Sequence, residues 1–234
     1  MTKSFVHLHA HTEYSMLDGA AKIVDYLKKV KELNQPAAAI TDHGNLYGAM
    51  EFVQKANDLG IKPIIGYEAY ITPGSRFDRP DRENNKRYHL TLLAENNIGY
   101  QNLVELVSKA YTEGYYYKPR IDYELLEQHH DGLIALSGCL GGELAQHLAP
   151  DGSVEEGNTS NERSFEKALE VAKKYQSIFG KNNYFIEIHN HGIKQQLDIL
   201  DDLVEIAEII EAPLVAANDS HYVEENGAEA HDAL

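Results

Sequence analysis

The chain has 234 residues, with 37 acidic against 21 basic side chains and a formal net charge of −16. That length allows one large domain, or two small ones, with a sizeable core, and that charge argues against an extended basic surface for duplex nucleic acid. One cysteine rules out an internal disulfide, and "MTKSFVHLHAH" lacks a signal-peptide pattern, so a reducing cytoplasm is expected. No apolar run approaches the length of a membrane span.

The elements then alternate along the chain. "SFVHLHA" reads as a strand, and "AAKIVDYLKKVKEL" as a helix with Ile23, Val24, Leu27, Val30 and Leu33 on one side. "PAAAITD" is a short apolar strand, and "NLYGAMEFVQKANDLG" a helix closed by Gly60. The strands "IKPIIGYEAYI" and "RYHLTLLA" flank a polar loop, Thr72 to Lys86. The helix "IGYQNLVELVSKAYTEG", the strand "GLIALSG" and the short helix "CLGGELAQHL" follow. A second loop, Ala149 to Glu162, is low in apolar content and is expected to be mobile. The helix "ERSFEKALEVAKKYQSIFG", the strand "NYFIEIH", the helix "IKQQLDILDDLVEIAEIIEA" and the strand "PLVAAND" complete the order. Seven strands alternating with helices indicate an α/β fold with a parallel sheet or barrel. The chain stops at "EENGAEAHDAL" with no helix cap, as an excised piece of a longer chain would.

Metal-ligand residue types concentrate at strand ends. In a strand, His7, His9 and His11 would share one face. As cations they would repel one another, and as bare core residues they would leave ring nitrogens unsatisfied. A bound metal removes both difficulties. Asp18 follows within the same motif. Asp42 and His43 follow "AAAIT", Glu68 ends "IKPIIGYEAY", and His89 lies in "RYHLTLL". Cys139 follows "GLIALSG", and Asp219 and His221 follow "PLVAA". Parallel barrels converge such ends on one face. Taken singly, each of these residues is more readily structural, and Cys139 reads as a small buried hydrophobe. Their shared placement is what points to a site. His129, His130, His147 and His231 fall in or near helices and fit chance. His7 is placed behind the ligands and His189 is read as structural, while His191 is a candidate substrate contact. Imidazoles, carboxylates and one thiolate suit zinc, with manganese or iron as substitutes. Glu68 can bridge two ions, and the number of candidates implies two or three.

The motifs "HLHAHTEYSMLDG", "AAAITDHGNLYGAMEF", "GIKPIIGYEAYI", "YYYKPRIDYELLEQHHDGLIALSGCLGGELA" and "LVAANDSHYVEENGAEAHDAL" carry a resemblance. They are similar to the PHP (polymerase and histidinol phosphatase) domain of bacterial DNA polymerase III alpha subunits. "KPRIDYELL" and "LSGCLGGELA" point to the polymerase branch. The resemblance implies one PHP domain over residues 1–234, a distorted seven-stranded β/α barrel, cut from a longer chain that is a DNA-directed DNA polymerase. It implies three ion sites: His9, His11, Glu68 and Asp219; Glu68, His89 and Cys139; Asp18, His43 and His221. It implies metal-dependent phosphodiester hydrolysis, a 3′→5′ exonuclease that proofreads a single-stranded DNA 3′ end, with His9, His11, Asp18, His43, Glu68, Asp219 and His221 as its catalytic set. The remaining polymerase chain and other replisome subunits are the implied partners. Arg120, Lys118 and Tyr14 are further candidate substrate contacts. Two other readings stand beside it: a stand-alone histidinol-phosphatase-like phosphoesterase, and a catalytically silent domain that braces the polymerase and docks partners.

Overall fold

The computed structural model describes residues 5–150 and 162–234. Most of the second expected loop, residues 151–161, and Ser4 of the first expected strand therefore lie outside the described residues. In chain order the elements are α1 (Ile23–Glu32), β1 (Ala37–Ile40), α2 (Ala49–Leu59), β2 (Lys62–Ile71), β3 (Tyr88–Ala94) and α3 (Asn97–Thr112). There follow β4 (Tyr115–Tyr116), β5 (Lys118–Ile121), α4 (Tyr123–Gln128), β6 (Leu133–Leu136) and α5 (Glu143–Leu148). The last are α6 (Phe165–Phe179), β7 (Tyr184–Ile188), α7 (Lys194–Asp198), α8 (Leu200–Ile210), β8 (Leu214–Ala216) and α9 (Ala228–His231). Local chemistry sets several boundaries. Asn96 caps α3 by accepting from the backbone N–H groups of Ile98 and Gly99. Gly60 closes α2 in the left-handed region, as the sequence predicts.

The sheet curls into a distorted barrel in the order β1, β2, β3, β6, β7, β8. The seventh stave is the N-terminal segment, lying between β1 and the end of β8. The Ala39 N–H donates to the His7 carbonyl and Thr41 N–H to the Ala10 carbonyl, while His11 N–H donates to Ser220. This stave is not the regular strand expected from "SFVHLHA". Donors two residues apart, Ala39 in β1 and Thr41 just after it, meet acceptors three residues apart, so one extra residue is inserted and the side-chain alternation flips. His7 therefore turns away, edge-on to Tyr26 under α1, and does not share the face of His9 and His11.

The barrel is not wholly parallel. β3 runs antiparallel to both β2 and β6. His89 therefore begins its strand, and that reversal puts it level with the ends of its neighbours. The ribbon β4–β5, absent from the sequence reading, pairs β5 with the end of β2. The long helix expected from Ile193 to Ala212 is two helices that meet at Ile199.

Period-two alternation separates two environments. Ala38 and Ile40 face the layer of α1 and α2, where they pack with Leu27 and Phe52. Ala39 faces the lumen with Leu93 and Leu136, and Leu8, Ile64, Phe185 and Val215 pack against them. Following inward positions toward one mouth, apolar residues give way to ionisable ones. β2 runs Ile64, Gly66, Glu68, β3 runs Leu93, Thr91, His89, and β7 runs Phe185, then Glu187. The lumen is thus an apolar plug beneath a polar floor. Among the described residues no helix is long and apolar enough to cross a membrane.

Candidate metal centre

The ligand-type side chains meet at that mouth. Glu68, 1% exposed at an inward position of β2, is the hub. Its Oε1 lies 3.3 Å from His9 Nε2 and 3.2 Å from His89 Nδ1. Its Oε2 lies 3.1 Å from His11 Nε2 and 3.0 Å from His43 Nδ1. Asp219 Oδ1 is 3.3 Å from His9 Nε2 and 3.2 Å from His11 Nε2. Asp18 Oδ2 is 3.0 Å from His221 Nε2 and 3.4 Å from His43 Nε2. Cys139 Sγ sits 3.8 Å from Glu68 Oε1 and 3.7 Å from His89 Nδ1. Among the described residues, four groups with donor atoms close enough for one ion each emerge: His9, His11, Glu68 and Asp219; His43, Glu68 and His89; His11, Asp18, His43 and His221; and His9, Glu187 and His189. All nine side chains that the sequence reading placed around ions are thus brought together. His43 and His11 each belong to one more group than the resemblance implies.

Backbone shape delivers them. Leu17, just before Asp18, and Asp219 itself adopt left-handed φ angles of 63° and 46°. Such angles cost non-glycine residues energy and concentrate at functional loops. In the loop after β6, Gly138 has a φ of 89°, and a Cβ there would meet the His89 carbonyl at 2.8 Å. Glycine is therefore needed for this loop to lie on β3 and present Cys139.

The polar atoms explain what this cluster lacks. His9 Nδ1 lies 2.8 Å from Glu187 Oε1, and His221 Nδ1 lies 2.8 Å from the Asp219 carbonyl. His11 Nδ1 lies 2.8 Å from Ser15 Oγ, whose hydroxyl donates to Asp42. Each acceptor assigns the ring proton to Nδ1. Each Nε2 then turns toward carboxylate oxygens, where two lone pairs would face each other unless a cation lies between. His9 Nε2, His11 Nε2, Asp18 Oδ2, His43 Nδ1, Glu68 Oε2 and Asp219 Oδ1 are all buried without a hydrogen-bond partner. These are the atoms that would ligate, so the residues present fit divalent ions.

The ionisation states follow the same logic. Burial alone would lower the His11 pKa, but Asp219 and Glu68 outweigh it and raise it to about 9. For His43 burial dominates and brings it down to about 3. Burial pushes the Cys139 thiol up to about 12. Without metal, protons occupy positions that a cation would take.

The cluster opens to an outer pocket of about 860 Å³, solvent included, walled by Met16, Leu17, Tyr70 and Lys118. Lys118 is thus the one candidate substrate contact on that wall, its Nζ 5.1 Å from the Tyr70 ring centre. Arg120 must be corrected. It is fully buried, and its guanidinium donates to the carbonyls of Gly114, Arg76 and Asp78 and to Asn85 Oδ1. It holds the Thr72–Lys86 loop in place. Tyr14 donates to Glu51 on α2, away from the pocket wall. His191 is exposed and hydrogen-bonded to Gln196, also off that wall. Glu187 escaped the sequence reading. A carboxylate at an inward position two residues after Phe185 was the available signal, because a buried charge needs partners.

Comparison with known proteins follows this geometry. The DNA polymerase III subunit alpha of Thermus aquaticus is 50% identical over 234 residues, covering 98% of this chain and 18% of that protein. The Treponema pallidum subunit is 47% identical over 232 residues, covering 99% and 19%. The chain thus spans about a fifth of the length of these curated relatives. A solved structure of a provisionally assigned metal-dependent phosphoesterase from Bifidobacterium adolescentis overlaps 93% of this chain and 88% of its own. At a TM-score of 0.49 and 12% identity, that overlap is too slight to decide anything. The PHP domain profile matches residues 7–191. That match starts at the first imidazole of the N-terminal stave, ends beyond β7 and takes in well over half of the sequence, and the chain therefore belongs to the PHP domain family.

Proposed function

We propose that this chain is a metal-dependent phosphodiesterase that removes nucleotides from a single-stranded DNA 3′ end, as the proofreading 3′→5′ exonuclease domain of a cytoplasmic replicative polymerase. The observation that carries this is the convergence of four imidazoles on the two oxygens of Glu68, with His9 Nε2, His11 Nε2, His43 Nδ1 and Glu68 Oε2 buried and lacking a hydrogen-bond partner. His9, His11, Glu68 and Asp219 would hold one ion. Glu68, His89 and Cys139 would hold a second, and Asp18, His43 and His221 a third. Zinc suits this donor set best, with manganese or iron as substitutes. Such ions, when bound, supply Lewis acidity and activate water for attack on a phosphodiester.

The protein's own residues do the rest. The outward Nδ1–H bonds of His9, His11 and His221 hold their rings in fixed aim. The apolar plug below the floor keeps water out of the lumen beneath the reacting end. Lys118 offers an ammonium to a phosphate entering the pocket. The similarity to polymerase subunits along nearly the whole chain supports a DNA 3′ end over a small phosphate ester, with the remaining polymerase chain and replisome subunits as partners.

The test is hydrolysis of a 5′-labelled single-stranded oligonucleotide by the purified chain, with zinc or manganese and with chelator. Stepwise shortening from the 3′ end that chelator abolishes is expected. His43→Ala should remove it while the fold persists, since the first group keeps all its ligands. Cleavage of small phosphate esters without DNA shortening would indicate the histidinol-phosphatase-like reading. Metal binding without either activity would indicate the brace.

A further inference from the structure

Glu187 is 1% exposed on the inner face of β7, beside the metal cluster. Its Oε1 lies 2.8 Å from His9 Nδ1 and 2.8 Å from His189 Nε2. Its Oε2 accepts from the Gly138 N–H at 3.1 Å, the residue before Cys139. Its own backbone N–H donates to Ser137 Oγ at 2.9 Å. Among the described residues its ion pairs are with His9 and His189 alone. An apolar side chain would fill this lumen position, as Phe185 does one inward step earlier. The carboxylate therefore needs another reason to be there.

We infer that Glu187 is a positioning residue that fixes the tautomer and aim of His9 and ties the Cys139 loop to it, so that affinity for an ion among His9, His11, Glu68 and Asp219 depends on a carboxylate outside that ligand set. The inference rests on reading the cluster as a metal centre. An ionised carboxylate only accepts hydrogen bonds. His9 must therefore present Nδ1–H to Glu187, which leaves the Nε2 lone pair 3.3 Å from both Glu68 Oε1 and Asp219 Oδ1. Carboxylate partners of this kind raise the basicity of a ligating imidazole and hold its ring still. Because the same carboxylate grips the Gly138 peptide, the ligand on the first stave and the thiol after β6 share one anchor. The triplet His9, Glu187 and His189 could instead hold an ion of its own. That would take both ring nitrogens of His9 and strip its last ring proton.

Glu187→Gln keeps the shape and removes the charge. Its carbonyl can accept one imidazole N–H, while its NH₂ group is turned on a remaining donor, Gly138 or an imidazole. Three measurements on the 234-residue chain decide the matter: zinc affinity by competition with a chelating indicator, the metal-free melting temperature, and imidazole nitrogen shifts by long-range proton–nitrogen NMR. Expected are a roughly 10- to 100-fold loss of zinc affinity, a metal-free variant that still melts cooperatively, and a change in the Nδ1 shift of His9. Glu187→Asp keeps the charge but withdraws the oxygens, and should lie between the two. Glu143→Gln, another buried carboxylate but one held by tyrosines, should leave the affinity unchanged. Unchanged zinc affinity in Glu187→Gln would overturn the inference. If Glu187→Gln fails to fold, Glu187→Asp and the His9 signature of the parent still decide it, and an Nε2–H form of His9 in the parent would overturn it. If the parent itself binds no zinc, the metal-centre reading falls, and the NMR result alone judges whether Glu187 sets the ring.

Discussion

At the scale of single residues, Glu68 has the most consequences, because four imidazoles depend on its two oxygens. Glu68→Gln keeps the volume and removes the negative charge that would offset the repulsion between two neighbouring cations. Metal content, measured by elemental analysis, should fall by at least one ion per chain. The metal-loaded melting temperature should fall with it, since ligands that bind only the native state stabilise it by mass action. Glu143 behaves differently. It is buried under α6 and accepts from the hydroxyls of Tyr123 and Tyr175. Burial raises its pKa above 4.5, outweighing those two hydroxyls. A carboxyl whose folded pKa is raised favours folding below the unfolded value and loses that contribution as pH rises through the folded one. Melting curves of Glu143→Gln in chelator should therefore gain on the parent as pH climbs above the ordinary carboxyl range. A constant difference would mean that Glu143 is not held protonated by burial.

At the scale of elements, Arg120 shows how a plausible reading of "KPRID" can go astray. A basic residue in that motif invites a substrate role, yet β5 runs beside the end of β2 and turns this side chain inward. There it collects acceptors from the Thr72–Lys86 loop. Arg120→Ala leaves those acceptors unpaired and should cost about 3 kcal/mol of stability, read by chemical denaturation, with metal content unchanged. Selective loss of DNA binding at full stability would restore the substrate role. The ligand types and their strand-end placement were legible because period-two patterning survives in β2, β6 and β7. The reversal of β3 was not legible, since an apolar strand looks the same in either direction. The bulge in the first stave was hidden too, because it depends on hydrogen bonds to β1 and to Ser220. It moved His7 off the shared face and left His9 and His11 on the floor.

At the scale of the whole molecule, charge sets the terms. A chain at −16 repels a polyanion over most of its surface, and Lys118 is the cation on the pocket wall. Lys118→Ala should therefore weaken DNA-end binding more than the chemical step, appearing as a KM raised several-fold with kcat little changed. An unchanged KM would remove Lys118 from the substrate path. The barrel's logic is that an apolar plug supports a floor of ionisable groups, six of whose buried atoms face one another with no hydrogen-bond partner and would be met by cations. That claim is tested most directly by anomalous diffraction at the zinc edge, on crystals of the chain purified without chelator and supplied with zinc. Two or three peaks are expected within the cluster, one of them enclosed by His9, His11, Glu68 and Asp219 and another beside Glu68, His89 and Cys139. An empty cluster, with the imidazoles and carboxylates paired through protons alone, would contradict it.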